Sequence, residues 1–317
     1  MGGEIIVAER ELAKIAGYKI ANAGDKGLGA FALQVFRRGD LIIEEAPLFK
    51  IRKQDDGGPI DLQSVAAAID RLPSEEVQKY VSLKNTHAAA EGGRYDNPFF
   101  GIYSTNAHQM DSDHSGIFLE VSRFNHSCSP NARYSWNPDI KRMRVYALRD
   151  IACGDEIFVS YLASRSVYGS SREERQTGLM KKYMFTCACT ACGLQGPAAV
   201  ASDKRRLQIN ALWESVPYFP PQQTRDRLLA IVQAIHLLEE EGYAADYDDF
   251  TIDAAAMCAY HSDWASAKYW ATKTYETRVA EFGEDSYRAK EVKAMMLDPK
   301  TDSWAGMGAQ QKFTVRL

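Results

Sequence analysis

Two kinds of hydrophobic periodicity alternate along the chain. Residues 18–49 carry short β-branched and aromatic runs broken by Ala-Gly-Asp and Gly-Asp turns, which predicts strands joined in hairpins. Between about residues 62 and 90 the apolar positions fall at helical spacing, with a helix-start signature at residues 73–76. Strand patterns then return in four short runs, at residues 117–121, 132–136, 143–148 and 156–161. The sequence therefore predicts a sheet that is interrupted by a helical insertion.

The remainder of the chain, from about residue 197 to residue 297, has a helical period throughout. One apolar stripe is formed by Leu228, Ile231, Val232, Ile235 and Leu238. Two further helices are predicted around residues 250–262 and 263–282. Their alanine and aromatic content resembles tetratricopeptide-type hairpins, and a helical packing domain without repeats is the alternative. Pro299, Gly306 and Gly308 predict that the last 20 residues form a loosely held tail.

Composition narrows the class of protein. The 317 residues are enough for about two domains, and 45% hydrophobic with 25% charged residues is typical of a globular chain rather than a disordered, collagen-like or membrane protein. Because 38 basic residues stand against 42 acidic ones, the net charge is −4, and direct nucleic-acid binding is not expected. No signal-peptide core and no run of 18 apolar residues is present. We therefore expect no membrane association and a nuclear or cytoplasmic location, or both.

Three of the six cysteines cluster within six residues, as Cys187-Ala-Cys189-Thr-Ala-Cys192. Such a run lets a short loop place three thiolates around one ion, and tetrahedral zinc takes a fourth ligand, for which Cys128 is the candidate. The alternative is a redox pair at Cys189 and Cys192, but that motif is usually found in a βαβ context, which this sequence lacks. The sequence therefore predicts a four-cysteine zinc site.

A glycine pair, Gly27-x-Gly29, formally opens the dinucleotide-binding pattern GxGxxA with Ala32. That interpretation requires a helix directly afterwards, whereas residues 33–40 lead into another strand. The glycines are then expected to allow a turn or a close approach of the backbone to another group.

Four motifs in a fixed order carry a family resemblance. They are Gly27-x-Gly29, Arg123-Phe-Asn-His-Ser-Cys128-x-Pro-Asn131, Gly154-Asp-Glu-Ile-x-x-x-Tyr161 and the CxCxxC run. Together they resemble the SET-domain protein-lysine methyltransferases over about residues 18–193. The segment Ser171-Arg-Glu-Glu-Arg-Gln176 resembles the SET-and-MYND branch, but no cysteine lies between Ile51 and Cys128, so the MYND zinc finger of that branch is absent.

The resemblance implies an α+β fold with five segments. They are N-terminal SET strands at 1–54, a helical SET insert at 55–105, a C-terminal SET core at 106–163, a zinc-binding post-SET segment at 164–195, and an all-α, tetratricopeptide-like C-terminal domain with its tail at 196–317.

The same resemblance implies a reaction, in which a lysine of a protein substrate is methylated by S-adenosylmethionine (SAM). Tyr161 would be the catalytic residue, orienting the methyl group and the amine. The predicted cofactor contacts are Lys26, Gly27, Leu28, Gly29, Asn106, Asn125, His126, Tyr161 and Phe185, and the predicted zinc ligands are Cys128, Cys187, Cys189 and Cys192. His108 falls where an aromatic residue is common in the family, and Val159 leaves apolar room for more than one methyl transfer.

A histone tail or another basic protein with an exposed lysine is the expected partner, and the chain is expected to be a monomer. The acidic stretch at residues 239–253, with seven acidic and no basic residues, would either steer such a substrate or form a solvated helix end. A catalytically silent SET-fold protein that recruits partners through its helical domain is the alternative function, and methylation of a non-protein amine is a third.

Overall fold

The computed structural model describes residues 17–53, 60–88 and 95–317, and the parts of the predictions that concern residues 1–16, 54–59 and 89–94 lie outside them. The described chain is an α+β protein, as predicted. Its strands are β1 (Tyr18–Asn22), β2 (Leu28–Ala32), β3 (Leu41–Glu45), β4 (Phe49–Arg52), β5 (His108–Gln109), β6 (His114–Ile117), β7 (Asn125–His126), β8 (Ala132–Asn137), β9 (Arg142–Ala147) and β10 (Glu156–Val159).

The first sheet, in the order β1-β2-β10-β7, brings distant motifs together. β1 and β2 form the predicted hairpin, with Tyr18 opposite Ala32. β10 then pairs antiparallel with β2 and parallel with β7, where Phe158 lies opposite Asn125. The glycine pair at the start of β2 is thereby placed beside residues more than 90 positions away in the sequence.

The other two sheets, β3-β9-β8 and β4-β6-β5, complete the strand-rich part. The strand predicted at residues 117–121 is wrong, because β6 ends at Ile117. The carboxylate of Glu45 accepts hydrogen bonds from the backbone N–H groups of Glu120 and Val121, at 2.9–3.2 Å. These bonds hold the chain in a turn where the hydrophobic run by itself predicted an extended strand.

Helices occupy the insert and the described chain after residue 195, as predicted, and two more lie between residues 164 and 183, where the sequence pattern predicted none. Their bounds are α1 (Leu62–Ile69), α2 (Ser74–Val81), α3 (Pro98–Asn106), α4 (Ser164–Tyr168), α5 (Arg172–Tyr183), α6 (Gly196–Ser215), α7 (Thr224–Glu240), α8 (Asp248–Tyr260), α9 (Trp264–Phe282) and α10 (Tyr287–Leu297). α1 to α3 pack on the third sheet around Val65, Tyr80 and Ile117. The apolar stripe of α7 is buried in the core of the C-terminal helices, as its period predicts.

The acidic stretch at residues 239–253 is a solvated helix end only in part, because Glu239 and Glu240 are exposed at the end of α7 while other acidic side chains of the stretch are buried. Glu241 is buried and bonded to Arg205 and Arg206 at 2.6 and 2.8 Å, and Asp248 pairs with Arg278 at 2.9 Å. Within the described chain, none of these fifteen residues lines the large cavity described below. The acidic side chains therefore serve mainly as internal ion-pair partners, because arginines from other elements pack against them.

The C-terminal tail is held firmly, contrary to the expectation. Phe313 is buried, and its backbone N–H donates to the carboxylate of Asp263 at 2.7 Å. The backbone N–H of Gly306 and that of Gly308 donate to carbonyls at the end of α8, each at 2.9 Å. Glycines without a helical or strand period predicted mobility, but here they allow the chain to lie against the helix end.

Candidate active site

One large cavity, of about 1350 Å³, opens between the first sheet, the helical insert and the segment after α5. Eight of the nine predicted cofactor contacts line it, and the exception is Gly29, which lies in β2 beside the lining residue Leu28. The predicted residues on the cavity wall are Lys26, Gly27, Leu28, Asn106, Asn125, His126, Tyr161 and Phe185. The structure thus gathers side chains from positions 26 to 185 around one space.

Each glycine of the pair Gly27 and Gly29 is explained by a different structural feature. Gly27 has a φ of 80°, a conformation that residues with a Cβ rarely adopt. A Cβ on Gly29 would lie 2.7 Å from the Glu156 carboxylate and 2.8 Å from Nδ2 of Asn125. No helix follows the pair directly, so the dinucleotide-binding interpretation remains without support in the described fold.

Glu156 organises this end of the cavity, and sequence reasoning gave it no role. Its carboxylate accepts from Nδ2 of Asn125 at 2.9 Å and pairs with the Lys26 ammonium at 2.8 Å. Asn125 also donates to the backbone carbonyl of Leu28 at 3.0 Å. Asn125 and Lys26 are therefore fixed in place by the same carboxylate.

Tyr161 lies just after β10, and three contacts fix its position. Its hydroxyl donates to the carbonyl of Phe124 at 3.0 Å, and its backbone N–H donates to Nδ1 of His126 at 3.0 Å. The Tyr183 hydroxyl donates to the Tyr161 carbonyl at 3.2 Å. Burial raises the pKa of Tyr161 well above its usual value, so the side chain stays a neutral phenol near neutral pH.

A row of aromatic rings runs through the cavity wall. The ring of Tyr161 lies 5.3 Å from that of His126, 6.3 Å from that of Phe185 and 4.9 Å from that of Tyr183, between ring centres. Tyr134 also lines the cavity. Tyr134 and Tyr183 were missed by the sequence reasoning, although Tyr183 lies only two residues before Phe185 and Tyr134 three residues after Asn131.

Asn106 is buried at the end of α3. Its amide nitrogen donates to the carbonyls of Lys84 and Ile102, both at 2.7 Å. These two bonds occupy both amide hydrogens, so the carbonyl oxygen Oδ1 is the part of this side chain that remains available to a ligand.

The four cysteines of the predicted zinc site lie together. Their Sγ atoms are all within 4.8 Å of one another, and that of Cys128 is 3.6 Å from that of Cys192. Zinc–sulfur bonds of about 2.3 Å in a tetrahedron place sulfurs at about this separation. The pKa of the Cys189 thiol is well below its usual value, because the other three thiols donate hydrogen bonds to its thiolate. The donor set therefore fits a zinc ion, and all six cysteines are free of disulfides.

The cysteine cluster and the cavity share one short segment. His126 lines the cavity, and its Nε2 lies 3.3 Å from the Sγ of Cys128. Burial lowers the pKa of His126 to about 4, so the ring is neutral, accepts at Nδ1 from Tyr161 and donates at Nε2 toward the sulfur. The position of the cysteine cluster is thus coupled to the position of His126 in the cavity wall.

The match to known proteins agrees with these features. The SET domain family matches residues 27–162. The chain therefore contains a SET domain. The SET domain thus spans β2 to β10, and the cysteine run follows it in the sequence. Among the described residues, no helix is both long and apolar enough to cross a bilayer.

The chain is similar in sequence to three named methyltransferases. It is 29% identical over 290 residues to histone-lysine N-methyltransferase set5 of Schizosaccharomyces pombe, and the aligned residues cover 91% of this chain and 86% of the relative. It is 35% identical over 99 residues to protein-lysine N-trimethyltransferase SMYD5 of Homo sapiens, 31% of this chain and 23% of that protein. It is 27% identical over 180 residues to N-lysine methyltransferase SMYD2 of Mus musculus, 50% of this chain and 39% of that protein.

Proposed function

We propose that this chain transfers the methyl group of SAM to the ε-amine of a lysine in a protein substrate. The observation that carries the proposal is the position of Tyr161 in the shared cavity. Its hydroxyl hydrogen is committed to the carbonyl of Phe124, so the oxygen lone pairs remain for the reacting groups. Because burial keeps the phenol neutral, Tyr161 orients and stabilises through its dipole and does not act as the base.

The residues proposed to hold SAM fit its chemistry. Asn125 and His126 would bind its polar ends through side chain and backbone, the backbone of residues 26–29 would approach it closely, and Phe185 would stack on the adenine. Asn106 would contribute its free Oδ1. SAM supplies the activated methyl group on a positively charged sulfur. Lys26 is already paired with Glu156. We therefore propose that the carboxylate of SAM shares the Lys26 ammonium with the Glu156 carboxylate.

The target lysine must reach the cavity as a neutral amine. A lysine in water has a pKa of about 10.4, so a desolvated channel that disfavours the ammonium is required. The rings of Tyr134, Tyr161 and Tyr183 supply such surroundings, and burial raises the pKa of each of the three phenols, which shows how strongly this wall disfavours charge.

Replacing Tyr161 tests the proposal. We expect Tyr161→Phe to lower methyl transfer by about two orders of magnitude, which is typical for loss of one oriented polar group at a reacting centre, while SAM still binds. The measurement is transfer of labelled methyl groups from SAM, with binding followed by calorimetry. The control is Tyr287→Phe, because Tyr287 is exposed and lies far along the chain in α10. Full activity of the Tyr161→Phe protein would refute the assigned role.

The four cysteines are proposed to bind zinc structurally. A Cys128→Ser protein is expected to hold substoichiometric zinc and to bind SAM more weakly, because Cys128 lies two residues from His126. Metal analysis and calorimetry measure both. The control is Cys153→Ser, since Cys153 is exposed and outside the cluster, and an unchanged zinc content in the Cys128→Ser protein would contradict the ligand set.

Histones are proposed as substrates because the relative with the longest match reported above is named as a histone-lysine methyltransferase. The cavity itself is lined by five basic residues and three acidic ones, so its charge gives no preference for a basic tail. A methyl-transfer screen over purified histones and cell lysate, read by mass spectrometry, decides between histone and other protein substrates. Small amines in the same assay test the non-protein alternative.

The silent-scaffold alternative makes a different prediction, namely bound zinc with no SAM binding.

We further propose a monomer without direct nucleic-acid binding, in the nucleus or cytoplasm, with segment boundaries at residues 54, 105, 163 and 195. Sedimentation, DNA binding, imaging of tagged protein and limited proteolysis test these four points.

A further inference from the structure

Lys182 places a positive charge beside the aromatic wall of the cavity. It lies near the end of α5 and lines the cavity together with Tyr161 and Tyr183. Its Nζ lies 5.0 Å from the centre of the Tyr183 ring, which in turn lies 4.9 Å from the centre of the Tyr161 ring. An ammonium in this position is attracted to the ring by its quadrupole. One ring thus separates the Lys182 cation from Tyr161.

The fold fixes the point from which the Lys182 side chain starts. Its backbone carbonyl accepts a hydrogen bond from Nε2 of His87, in the helical insert, at 2.9 Å. The side chain is exposed and also lines the cavity, so it lies where the cavity meets the solvent. A lysine of a substrate protein that enters the cavity from the solvent would pass this charge.

No carboxylate forms an ion pair with Lys182 among the described residues. The acidic residues of the cavity wall are Asp25, Asp155 and Glu156, which lie at the end of the first sheet. Glu156 is already paired with Lys26 at 2.8 Å. The positive charge of Lys182 is therefore not neutralised within the described chain and can act on another group in the cavity.

Two other groups of the wall respond to this charge, His108 from β5 and Tyr134 from β8, whose ring centres are 5.0 Å apart. Burial, aided by the Lys182 ammonium, lowers the pKa of His108 to about 4 against a hydrogen bond with the Asn106 backbone. Burial raises the pKa of Tyr134, and the Lys182 ammonium opposes this rise. Both effects have the sign expected of a nearby positive charge, which disfavours a cation and favours an anion.

We propose that the Lys182 ammonium repels the ammonium form of the target lysine in the cavity and so favours the neutral amine that attacks the methyl group. The proposal rests on the proposed lysine methyltransferase function. A cation placed beside a reacting amine is a known way to keep that amine neutral near neutral pH. The aromatic rings of the wall add to this effect, because they withhold the water that would stabilise an ammonium.

The atoms and charges of the reaction balance without any change in Lys182. The target lysine enters as an ammonium and gives one proton to water. The lone pair of the neutral amine then forms the bond to the methyl carbon while the bond from that carbon to sulfur breaks, which leaves S-adenosylhomocysteine and a methylated ammonium. The charge of Lys182 changes only the balance between the two forms of the bound amine.

This role has a kinetic signature. At a pH below the pKa of the bound lysine, repulsion makes the bound ammonium less stable but does not change the neutral amine that reacts. Loss of the Lys182 charge should therefore lower kcat and KM by the same factor and leave kcat/KM unchanged. A residue that merely maintained the shape of the cavity would lower kcat/KM instead.

The variants that test this are Lys182→Met, which removes the charge, and Lys182→Arg, which keeps it. The assay follows kcat against pH with purified histones as the methyl acceptor and saturating SAM. We expect the half-maximal kcat of Lys182→Met about half a pH unit above that of the wild type, or a roughly threefold lower kcat at pH 7, since solvent screens the effect of an exposed charge. Lys182→Arg should keep the wild-type profile.

The control is Lys181→Met, because Lys181 is exposed on the same helix and is not part of the cavity wall. It should leave the profile of kcat against pH unchanged. An unchanged profile in a folded, active Lys182→Met protein would overturn the proposal, and so would a fall in its kcat/KM.

A second measurement needs no turnover. The probe is N-acetyl-lysine amide with one ¹³C-labelled methyl group on Nε, bound to protein saturated with S-adenosylhomocysteine, and its methyl resonance is followed as the pH rises. The bound amine should lose its proton about half a pH unit later in Lys182→Met than in the wild type. Loss at the same pH in both proteins would refute the role of Lys182. If the wild type methylates no protein, the proposed function fails, and this titration still decides whether Lys182 acts on a bound amine.

Discussion

Arg175 is a buried cation beside the cysteine cluster. Two of its guanidinium nitrogens, Nε and Nη2, have no hydrogen-bond partner among the described residues. Burial lowers its pKa, but Cys128 and Cys192 raise it by more, so the net shift is upward. Four thiolates around one zinc ion leave a charge of about −2, which is costly to bury without compensation. Arg175 is placed to provide that compensation.

Removal of this cation is expected to weaken zinc binding. An Arg175→Met protein should hold zinc roughly tenfold more weakly than the wild type, in the range typical for residues that support metal ligands. Competition with a chromogenic chelator measures the change. The matched control is Lys181→Met, which removes an exposed positive charge from the same helix. Equal zinc affinity in the two variants would argue against Arg175 as the counter-charge.

At the level of elements, α5 connects the wall of the cavity to the cysteine cluster. The helix begins with a capping box, in which Ser171 accepts from the backbone of Glu174 and the Glu174 side chain accepts from the backbone of Ser171. It carries Tyr183 at its end, and Met184 follows in a left-handed conformation with a φ of 59°. This left-handed residue turns the chain toward Phe185 and the cysteine run. Helix α5 therefore positions Tyr183, Phe185 and the cysteine run.

Loss of the cap should therefore affect stability more than chemistry. We expect Ser171→Ala to lower the free energy of unfolding by about 1 kcal/mol, the usual effect of losing an N-cap side chain. Chemical denaturation measures this value. Ser215→Ala serves as the comparison, because Ser215 lies at the end of α6 and bonds only to a carbonyl in its own helix. A fall as large in Ser215→Ala would show that the cap has no special role.

At the scale of the whole molecule, ion pairs join the SET core to the C-terminal helices. Arg133 of β8 pairs with Asp246 and, at 2.6 Å, with Glu281 of α9. One guanidinium does not balance two buried carboxylates. Burial raises the pKa of Glu281 to about 8 in spite of Arg133, whereas Arg133 and Tyr243 hold the pKa of Asp246 below its usual value against burial. Asp246 thus carries the charge, and Glu281 stays protonated near neutral pH.

The raised pKa of Glu281 makes stability depend on pH. Between the unfolded pKa of about 4.3 and the folded value of about 8, the folded state binds a proton that the unfolded state lacks, so stability falls as pH rises. Glu281→Gln should remove this fall between pH 6 and pH 8.5, measured as denaturation midpoints. Glu276→Gln, an exposed change on the same helix, should keep it. A wild-type midpoint that does not fall over this interval would contradict the assignment.

Local patterns in the sequence were sufficient for much of the fold. The period of α7 and the alternation in β8 and β9 predicted those elements within a few residues, because both depend on which face of a segment is apolar. The end of β6 was missed because the Glu45 carboxylate, more than 70 positions away, captures the backbone there. Residues that act through distant partners carry no such local pattern.

The sequence by itself carried the resemblance to a SET domain and the CxCxxC run with Cys128, and through that resemblance it pointed to eight residues between Lys26 and Phe185 that line the cavity. Only the tertiary structure decided that Glu156 holds Asn125 and Lys26, that the acidic stretch neutralises arginines, and that His108 joins the aromatic wall. The physical reason is that an amphipathic pattern indicates which face of a segment is buried. The residues that cover that face depend on packing across the whole chain.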